Sequence, residues 1–440
     1  MREAWSPFDN PTRPAYKLTL MEDRHDAPKV VIRRFAWWRD APADSRRALV
    51  AAAFGWMLDS FDVMLYAMVL SALVSDLGIA KSTAGLLGSL TLFASAFGGL
   101  IFGLAADRFG RRKALMASIL IYSIFTAACG FSTGVLMLAV FRVCLGLGMG
   151  GEWASGASLV SETWPAEHRG KALGLVQSAW AVGYAAAAAV SALVMPRWGW
   201  RAVFFVGVIP AFFTLWIQKR VKDPEIWKAR RLEPRAPESG FRLIFGKGRL
   251  RLTVLITLMN AFTLFAWWGL NLWIPSYLSM TAGQGGIGLS TRIMSGLVIF
   301  MQVGMWLGYV SFGFISDKAG RKKTYVGFLI AAAFFVFLYS STKQPIVLLL
   351  LGPFVAYFGT GYFSGFGALT AELYPTSIRA TAQGITYNTG RIVSAAAPFI
   401  VGSLAQTKGF GFAFSLIALS FLAAAVLWMW IPETRGRELE

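Results

Sequence analysis

Cysteine and histidine are nearly absent from this 440-residue sequence, which has two of each. Cys129 and Cys144 lie in or beside apolar segments, so they indicate neither a disulfide framework nor a metal site with the usual Cys/His spacing. His25 and His168 fall outside the apolar segments. We therefore predict no metal and no cofactor, and we expect any proton inside an apolar segment to be carried by a carboxylate.

Charge is also scarce, because charged residues make up 15% of the chain and hydrophobic residues 56%. Apolar runs such as 114–129 and 411–430 approach the ~20 residues that cross the hydrocarbon of a bilayer. The net charge of +19 would suggest nucleic acid for a soluble protein, but the basic residues lie between the apolar runs. Most of them fall on one side, as the positive-inside rule requires. These patterns predict a multi-pass cell-membrane protein with both termini cytoplasmic and no nucleic-acid partner. The polar segment 220–251 is too short for a catalytic domain, so we predict no enzymatic activity.

The apolar runs predict an all-α membrane protein with 12 transmembrane helices in two parallel six-helix repeats. The predicted spans of the first bundle, 48–219, are 48–75, 83–106, 113–131, 134–162, 170–194 and 199–219. Those of the second bundle, 252–431, are 252–280, 291–315, 323–341, 345–373, 381–404 and 411–431. The predicted cytoplasmic segments are an N-terminal tail at 1–47, a basic linker at 220–251 and a C-terminal tail at 432–440.

An internal repeat supports the two bundles, because landmarks recur at one offset of 210 residues. The segment GLAADRFGRRK at Gly103 returns as GFISDKAGRKK at Gly313, so that Asp107 matches Asp317. Further along, Glu162 matches Glu372. Chance similarity between apolar helices would not align charged loop residues in this way. An even number of spans in each half makes the repeats parallel and puts a binding site at their interface.

These segments resemble the hallmark loops of the major facilitator superfamily, and the resemblance covers nearly the whole chain. RVCLGLGMGGE from Arg142 is similar to that family's fourth helix, and DPEIW at Asp223 and PETRGREL at Pro432 resemble its landmarks after the sixth and twelfth helices. GWMLDSFDVMLY at Gly55 and GMGGEW at Gly148 resemble its metabolite–proton and sialate–proton symporter branches. The resemblance implies transport by alternating access.

Two segments depart from related transporters. The fifth predicted helix, AVGYAAAAAVSALV, lacks the Gly-Pro pattern of the drug–proton antiporters, which favours symport over drug efflux. The seventh, NAFTLFAWWGLN from Asn260, lacks the NxxSHxSQD run of the yeast-type lactate carriers, which leaves the substrate open.

Charged residues inside apolar spans are costly and usually face a polar pathway, so they are the candidates for function. Asp59, Asp62 and Glu152 are the candidate proton-coupling residues, although Asp62 is equally consistent with a structural ion pair. Asp59, Asp62 and Tyr66 share one helical face by their i, i+3, i+7 spacing. Counted from the predicted span ends, Asp59 and Glu152 lie near the bilayer midplane.

A carboxylate substrate needs a cation. When residues at the span ends are counted with their loops, Arg391 and Arg142 are the basic residues within the predicted spans. Arg391 lies near the midplane, and its repeat counterpart is the uncharged Ala181. We therefore expect Arg391 to have a role specific to the second half and not to be part of the scaffold that both halves share. The candidate substrate-binding residues are Arg391, Arg142, Tyr66, Asn271 and Asn388. For Asn271 and its neighbouring tryptophans, plain aromatic packing is the alternative.

The repeated loops predict a conformational latch at the ends of the bundles, in which carboxylate and arginine pairs favour one state. The candidate latch residues are Asp107, Arg111, Arg112, Asp317, Arg321, Glu162, Arg169, Glu372 and Arg379. A role in topology alone, through their positive charge, is the alternative.

Together these features predict a monomeric, proton-coupled importer of a small organic anion such as a monocarboxylate, an aromatic acid or sialic acid. Its predicted partners are that substrate, protons and the lipid bilayer. Two alternatives stay open, namely proton-coupled efflux of a cationic or neutral compound and a membrane sensor that transports nothing.

Overall fold

The computed structural model describes residues 36–39, 41–225, 245–246, 249–375 and 378–435. In the first unit, residues 1–40, the structure describes helix α1 (Ala36–Arg39). Residues 41–440 form the other unit. Most of the predicted N-terminal tail, most of the predicted linker and residues 436–440 lie outside the described residues.

The second unit is helical, with no strand in the part of the chain that the structure describes. Its first half contains α2 (Ala43–Asp76), α3 (Lys81–Phe109), α4 (Arg111–Cys129), α5 (Val135–Thr163), α6 (Ala166–Val206) and α7 (Ile209–Arg220). Its second half contains α8 (Leu250–Ser279), α9 (Thr291–Ala319), α10 (Arg321–Ser341), α11 (Pro345–Thr360), α12 (Phe366–Leu373), α13 (Arg379–Ser394), α14 (Ala397–Thr407) and α15 (Gly409–Leu427).

Ten helical segments of the described residues are long and apolar enough to cross a membrane, where the sequence predicts twelve spans. The fifth and sixth predicted spans count as one segment, Gly170–Arg220, because α6 runs through the expected boundary with a kink at Gly199. Gly199 has φ 74°, a conformation that glycine adopts without strain.

The eleventh predicted span, 381–404, forms two shorter helices, α13 and α14. Pro398 lies in the first turn of α14, where its missing N–H is tolerated. The same missing N–H prevents α13 from continuing unbroken through this position. The tenth predicted span passes from α11 through a 3₁₀ turn at Gly361–Gly365 into α12. The all-α fold is confirmed, and proline and glycine account for these interruptions.

Glycines bring α3 and α5 into backbone contact. A Cβ atom at Gly98 would clash with the carbonyl oxygen of Leu147, and one at Gly150 would clash with that of Ser95. Small residues allow this close approach between helices in a membrane. The two helices therefore pack with their backbones in direct contact.

The repeat is visible in the backbone. Gly110 between α3 and α4 has φ 110°, and its counterpart Gly320 between α9 and α10 has φ 99°. Both values lie in a region that L side chains rarely adopt, so each hallmark loop requires glycine at this position.

The two halves meet at the end of the molecule where α3 begins. Ser279 donates its hydroxyl to Ser71 at 2.8 Å, and the backbone N–H of Phe399 donates to the Ser89 hydroxyl at 3.1 Å. The Lys81 ammonium donates to the carbonyl oxygens of Gln284 and Ala405. We call these contacts the Lys81 closure, since each joins a residue of the first half to one of the second.

Candidate functional site

Three buried carboxylates lie in the first half. Asp59, Asp62 and Glu152 are each 1% exposed, and Asp59 interacts electrostatically with both of the others. Both oxygens of Glu152 lack a hydrogen-bond partner among the described residues, and Asp62 interacts with the Thr126 side chain. Burial of ionisable side chains inside a membrane costs free energy, and the residues that remain there usually belong to functional sites.

Glycines make room for the Glu152 carboxylate. A Cβ atom at Gly55 would lie 2.5 Å from its Oε1, and one at Gly156 would lie 3.2 Å from the same atom. Gly55 belongs to the same helix as Asp59, one turn earlier. The sequence therefore places a glycine where the carboxylate of α5 reaches α2.

Tyr122 of α4 lies among the three carboxylates, and the sequence analysis missed it. Its ring is fully buried, its hydroxyl donates to the carbonyl oxygen of Gly55 at 3.5 Å, and it interacts electrostatically with Asp59, Asp62 and Glu152. Ser118, Tyr122 and Thr126 follow each other at intervals of four residues on α4. That polar stripe in an apolar helix is a signal that could have identified this face.

Arg142 and Tyr66 form a second group in the first half. The guanidinium of Arg142 lies 3.7 Å from the centre of the Tyr66 ring, and Tyr66 donates its hydroxyl to the carbonyl oxygen of Ala84 at 2.7 Å. A cation over an aromatic ring is attracted to the negative face of the ring. The Nε and Nη1 of Arg142 have no partner in the described part of the chain, so donors remain for an anion.

Arg391 of α13 is the buried cation of the second half, at 5% exposure. It interacts electrostatically with Asp59 across the interface and with Tyr387 on its own helix. The preceding Gly390 packs on Asn260 of α8, whose Cβ lies 2.8 Å from the place of a Gly390 side chain. The buried Oδ1 of Asn260 has no hydrogen-bond partner among the described residues, and Asn260 is a second residue that the sequence analysis missed.

The two predicted asparagines differ in position. Asn388 is exposed and lies near Gly99 of α3, with its Oδ1 4.0 Å from the place of a Cβ there. Asn271 is buried and donates its side-chain amide to the carbonyl oxygen of Trp267 at 3.0 Å. Its own carbonyl oxygen accepts the Tyr184 hydroxyl at 2.9 Å, which joins the halves. Asn271 is therefore engaged in helix and interface contacts, while its predicted substrate contact stays a prediction.

The predicted latch residues form matched ion-pair networks within each half. Arg111 pairs with Asp107 and binds Glu162 through two bonds, of 3.2 Å from Nε and 2.8 Å from Nη2. Arg321 pairs in the same way with Asp317 and with Glu372, to which its Nη2 donates at 2.9 Å. Two-pronged arginine–carboxylate pairs combine strength with fixed geometry.

Among the remaining predicted latch residues, Arg112 contacts the end of α7 and the segment after it. The backbone N–H of Arg112 donates to Asp223 at 2.8 Å, and its side chain reaches carbonyl oxygens at the end of α7. Arg169 and Arg379 lie in α6 and α13, but their side chains are outside what the structure describes. The ion pairs recorded at this end join residues of the same half, in contrast to the Lys81 closure.

Known proteins resemble the chain over most of its length. The profile of the Major Facilitator Superfamily matches residues 52–312 and 285–440. A putative metabolite transport protein of Haemophilus influenzae is 33% identical over 90% of this chain and 98% of its own length. The sialic acid transporter NanX of Escherichia coli is 32% identical over 89% of this chain and 95% of its own length.

The fold is similar to that of the xylose transporter XylE from E. coli in a partially occluded inward open conformation. The TM-score is 0.73 and the identity is 21%, over 90% of this chain and 100% of the other. At this identity the likeness shows the fold alone.

Proposed function

This chain belongs to the Major Facilitator Superfamily of membrane transporters, and from that premise we propose that it imports a small organic carboxylate together with protons. It is a multi-pass membrane protein and not an enzyme. We further propose bundles at 48–219 and 252–431, both termini in the cytoplasm, and a location in the cell membrane.

One observation carries the proposal. Arg391 in the second half and Asp59 in the first are both buried, and they interact across the interface between the halves. A buried guanidinium is strongly unfavourable without a negative partner. We propose that Asp59, which attracts Arg391 without a recorded ion pair to it, balances this charge in the absence of substrate, and that a substrate carboxylate replaces it.

Proton coupling follows from this exchange of partners. When Asp59 is protonated, its attraction for Arg391 falls, and the guanidinium becomes available for two-pronged binding of an incoming carboxylate. The loaded site then has a neutral Asp59 and a paired Arg391, so the charge that must move past the gates is small. With only the proton or only the substrate bound, the site would hold an unpaired charge, which opposes the change of state.

Glu152 is the second proposed proton carrier. It interacts with Asp59, and repulsion between two close carboxylates favours a single negative charge shared by the pair. Asp62 and Arg142 both interact electrostatically with Cys129. We propose that Arg142 and Tyr66 act as the second anion-binding position.

Uptake of labelled organic acids into proteoliposomes under an imposed pH gradient tests this function. Accumulation driven by an inward proton gradient, and abolished when the gradient is collapsed, is the expected result. Proton-driven efflux of a cationic or neutral compound would overturn the direction and the substrate charge. Absence of any solute flux from the folded protein would favour a sensor.

A further inference from the structure

Five tryptophans form a continuous cluster that crosses the interface between the halves. We call it the indole cluster, and its members are Trp56, Trp153, Trp180, Trp267 and Trp268. Ring centroids are 4.6 Å apart for Trp56–Trp153, 4.8 Å for Trp56–Trp180, 5.4 Å for Trp180–Trp267 and 4.6 Å for Trp267–Trp268. The contact between Trp180 of α6 and Trp267 of α8 joins the two halves.

Three indole N–H groups of this cluster lack an acceptor. Trp56, Trp180 and Trp267 are at most 6% exposed, and their Nε1 atoms have no hydrogen-bond partner among the described residues. Buried indole N–H groups usually find one. Trp200 donates to Asp76 at 3.0 Å, and Trp273 donates to the carbonyl oxygen of Pro398 at 2.9 Å.

One comparable indole lies elsewhere. Trp428 is also buried and also lacks an acceptor in the described part of the chain, but its ring stacks on Tyr325 at 4.6 Å, outside the indole cluster. It offers a matched control, because it shares the unpaired donor and lacks the position at the interface.

The indole cluster adjoins the charged site. Trp56 precedes Asp59 by three residues on α2, which is ~4.5 Å along the helix. Trp153 follows Glu152 on α5, and Trp267 lies two turns from Asn260 on the same face of α8. Asp59 and Asn260, which meet Arg391 and its neighbour Gly390, thus lie on the helices that carry Trp56 and Trp267.

We infer that the indole cluster is the subsite for a planar ring that carries a hydrogen-bond acceptor away from its carboxylate. This inference rests on the proposed carboxylate transport and narrows its substrate. Flat rings match the offset and edge-to-face contacts that indoles make, and a ring nitrogen or oxygen accepts an N–H that otherwise stays unpaired. A site built to donate hydrogen bonds discriminates against an analogue that cannot accept them.

The test uses isosteric acids in proteoliposomes that contain the full-length protein. Benzoate has the ring without an acceptor, nicotinate and isonicotinate replace one ring C–H by nitrogen, and cyclohexanecarboxylate lacks planarity. We expect KM for the better pyridine acid to lie about three- to tenfold below that for benzoate, the range that one hydrogen bond supplies. Cyclohexanecarboxylate should have the highest KM.

Variants assign the effect to the cluster. Phenylalanine keeps an aromatic ring and removes the N–H, so at least one of Trp56→Phe, Trp180→Phe and Trp267→Phe should bring the ratio of the two KM values to about one. Trp428→Phe should retain the wild-type ratio. Three variants are used so that the failure of one to fold does not end the test.

The outcomes separate this inference from the proposed function. If all four acids are taken up with equal KM, or if no cluster variant changes the ratio, the inference is overturned while carboxylate transport stands. If the proton gradient drives uptake of sialic acid and of none of the ring acids, the inference is overturned in the same way. If no carboxylate is taken up, both fall.

Discussion

Glu433 accepts a hydrogen bond from the backbone N–H of Arg321 at 2.8 Å, in the first turn of α10. It also accepts one from Lys322 at 3.1 Å. Asp223, one repeat offset earlier, accepts from Arg112 at the start of α4. A carboxylate at a helix N-terminus satisfies free N–H groups and complements the helix dipole. The residues that follow the last helix of each half thus bind the hallmark loop of the same half through hydrogen bonds.

Removal of the Glu433 charge should lower stability in a pH-dependent way. Burial alone would raise the pKa of Glu433, but the backbone N–H groups of Arg435, Arg321, Lys322 and Thr434 hold it below its usual value. A carboxylate with a lowered pKa in the folded state stabilises above its unfolded pKa, and this is lost as pH falls through the lowered value. Glu433→Gln should therefore lower Tm at pH 6, and this effect should shrink progressively as the pH falls towards 3.

Thermal unfolding in detergent, followed from about pH 3 to pH 7, measures this difference. Glu440→Gln removes one negative charge at the end of the chain and serves as the control. A Tm difference between wild type and Glu433→Gln that is constant over this range would contradict the prediction.

Asp59→Asn and Glu152→Gln should each abolish accumulation against a gradient, because both replace a proton-binding carboxylate by an amide that cannot titrate. Exchange of labelled for unlabelled substrate needs no net proton movement, so some exchange should remain. Proteoliposome uptake and exchange, measured with the same labelled acid, provide the two readouts. If both variants still concentrate substrate, the proton carrier lies elsewhere.

Arg391→Lys should weaken substrate binding by about tenfold or more, since the ammonium keeps the charge but loses the planar fork. Calorimetric titration of the purified protein with the transported acid measures the loss. Arg142→Lys makes the same change at the second cation, and a larger effect there would move the primary anion site to Arg142.

Asp107→Asn should change turnover more than substrate affinity. Asp107 pairs with Arg111, which also binds Glu162, so the substitution removes part of a network far from the buried charges. The rate of uptake at saturating substrate and the apparent affinity are measured together, and Asp317→Asn tests the counterpart. A large affinity loss at an unchanged rate would rule out the latch.

Lys81→Met should shift the protein towards a state that is open at the Lys81 closure, because its ammonium contacts only the second half's Gln284, Ala405 and Phe410 in the recorded interactions. We expect a cysteine introduced at Ser279 to react roughly threefold faster with an impermeant maleimide. Lys408→Met is the control, since Lys408 lies over Phe412 of its own half. Equal rates in both variants would assign no gating role to Lys81.

Much of the fold was predictable, because hydropathy and the repeated loops are written in consecutive residues. The interruptions were not. The kink at Gly199 and the break before Pro398 interrupt otherwise continuous apolar runs, and a window of hydropathy does not register one residue with an unusual φ or a missing N–H. The repeat offset identified Arg111 and Arg321 as matched residues, because charged loop residues are conspicuous between apolar helices. That each pairs with a glutamate of the same half is known from the structure.

The buried charges were predictable for the same reason, and their neighbours were less so. Asp59 and Arg391 stand out as ions in apolar helices, but their interaction depends on how α2 and α13 are placed across the interface. Tyr122 and Asn260 are neutral residues, so composition alone did not distinguish them from ordinary packing. Which side chains share a cavity is set by tertiary contacts that one helix does not encode.

The Lys81 closure is made of hydroxyl groups, an ammonium, a backbone N–H and backbone carbonyl oxygens. Carbonyl oxygens do not titrate, unlike the carboxylates that pair with arginine at the opposite end of the molecule. With the amino terminus inside, as we propose, this closure faces the medium that supplies the protons. Acidification of that medium would then increase the driving force for uptake without loosening the seal that keeps ions from leaking through the carrier.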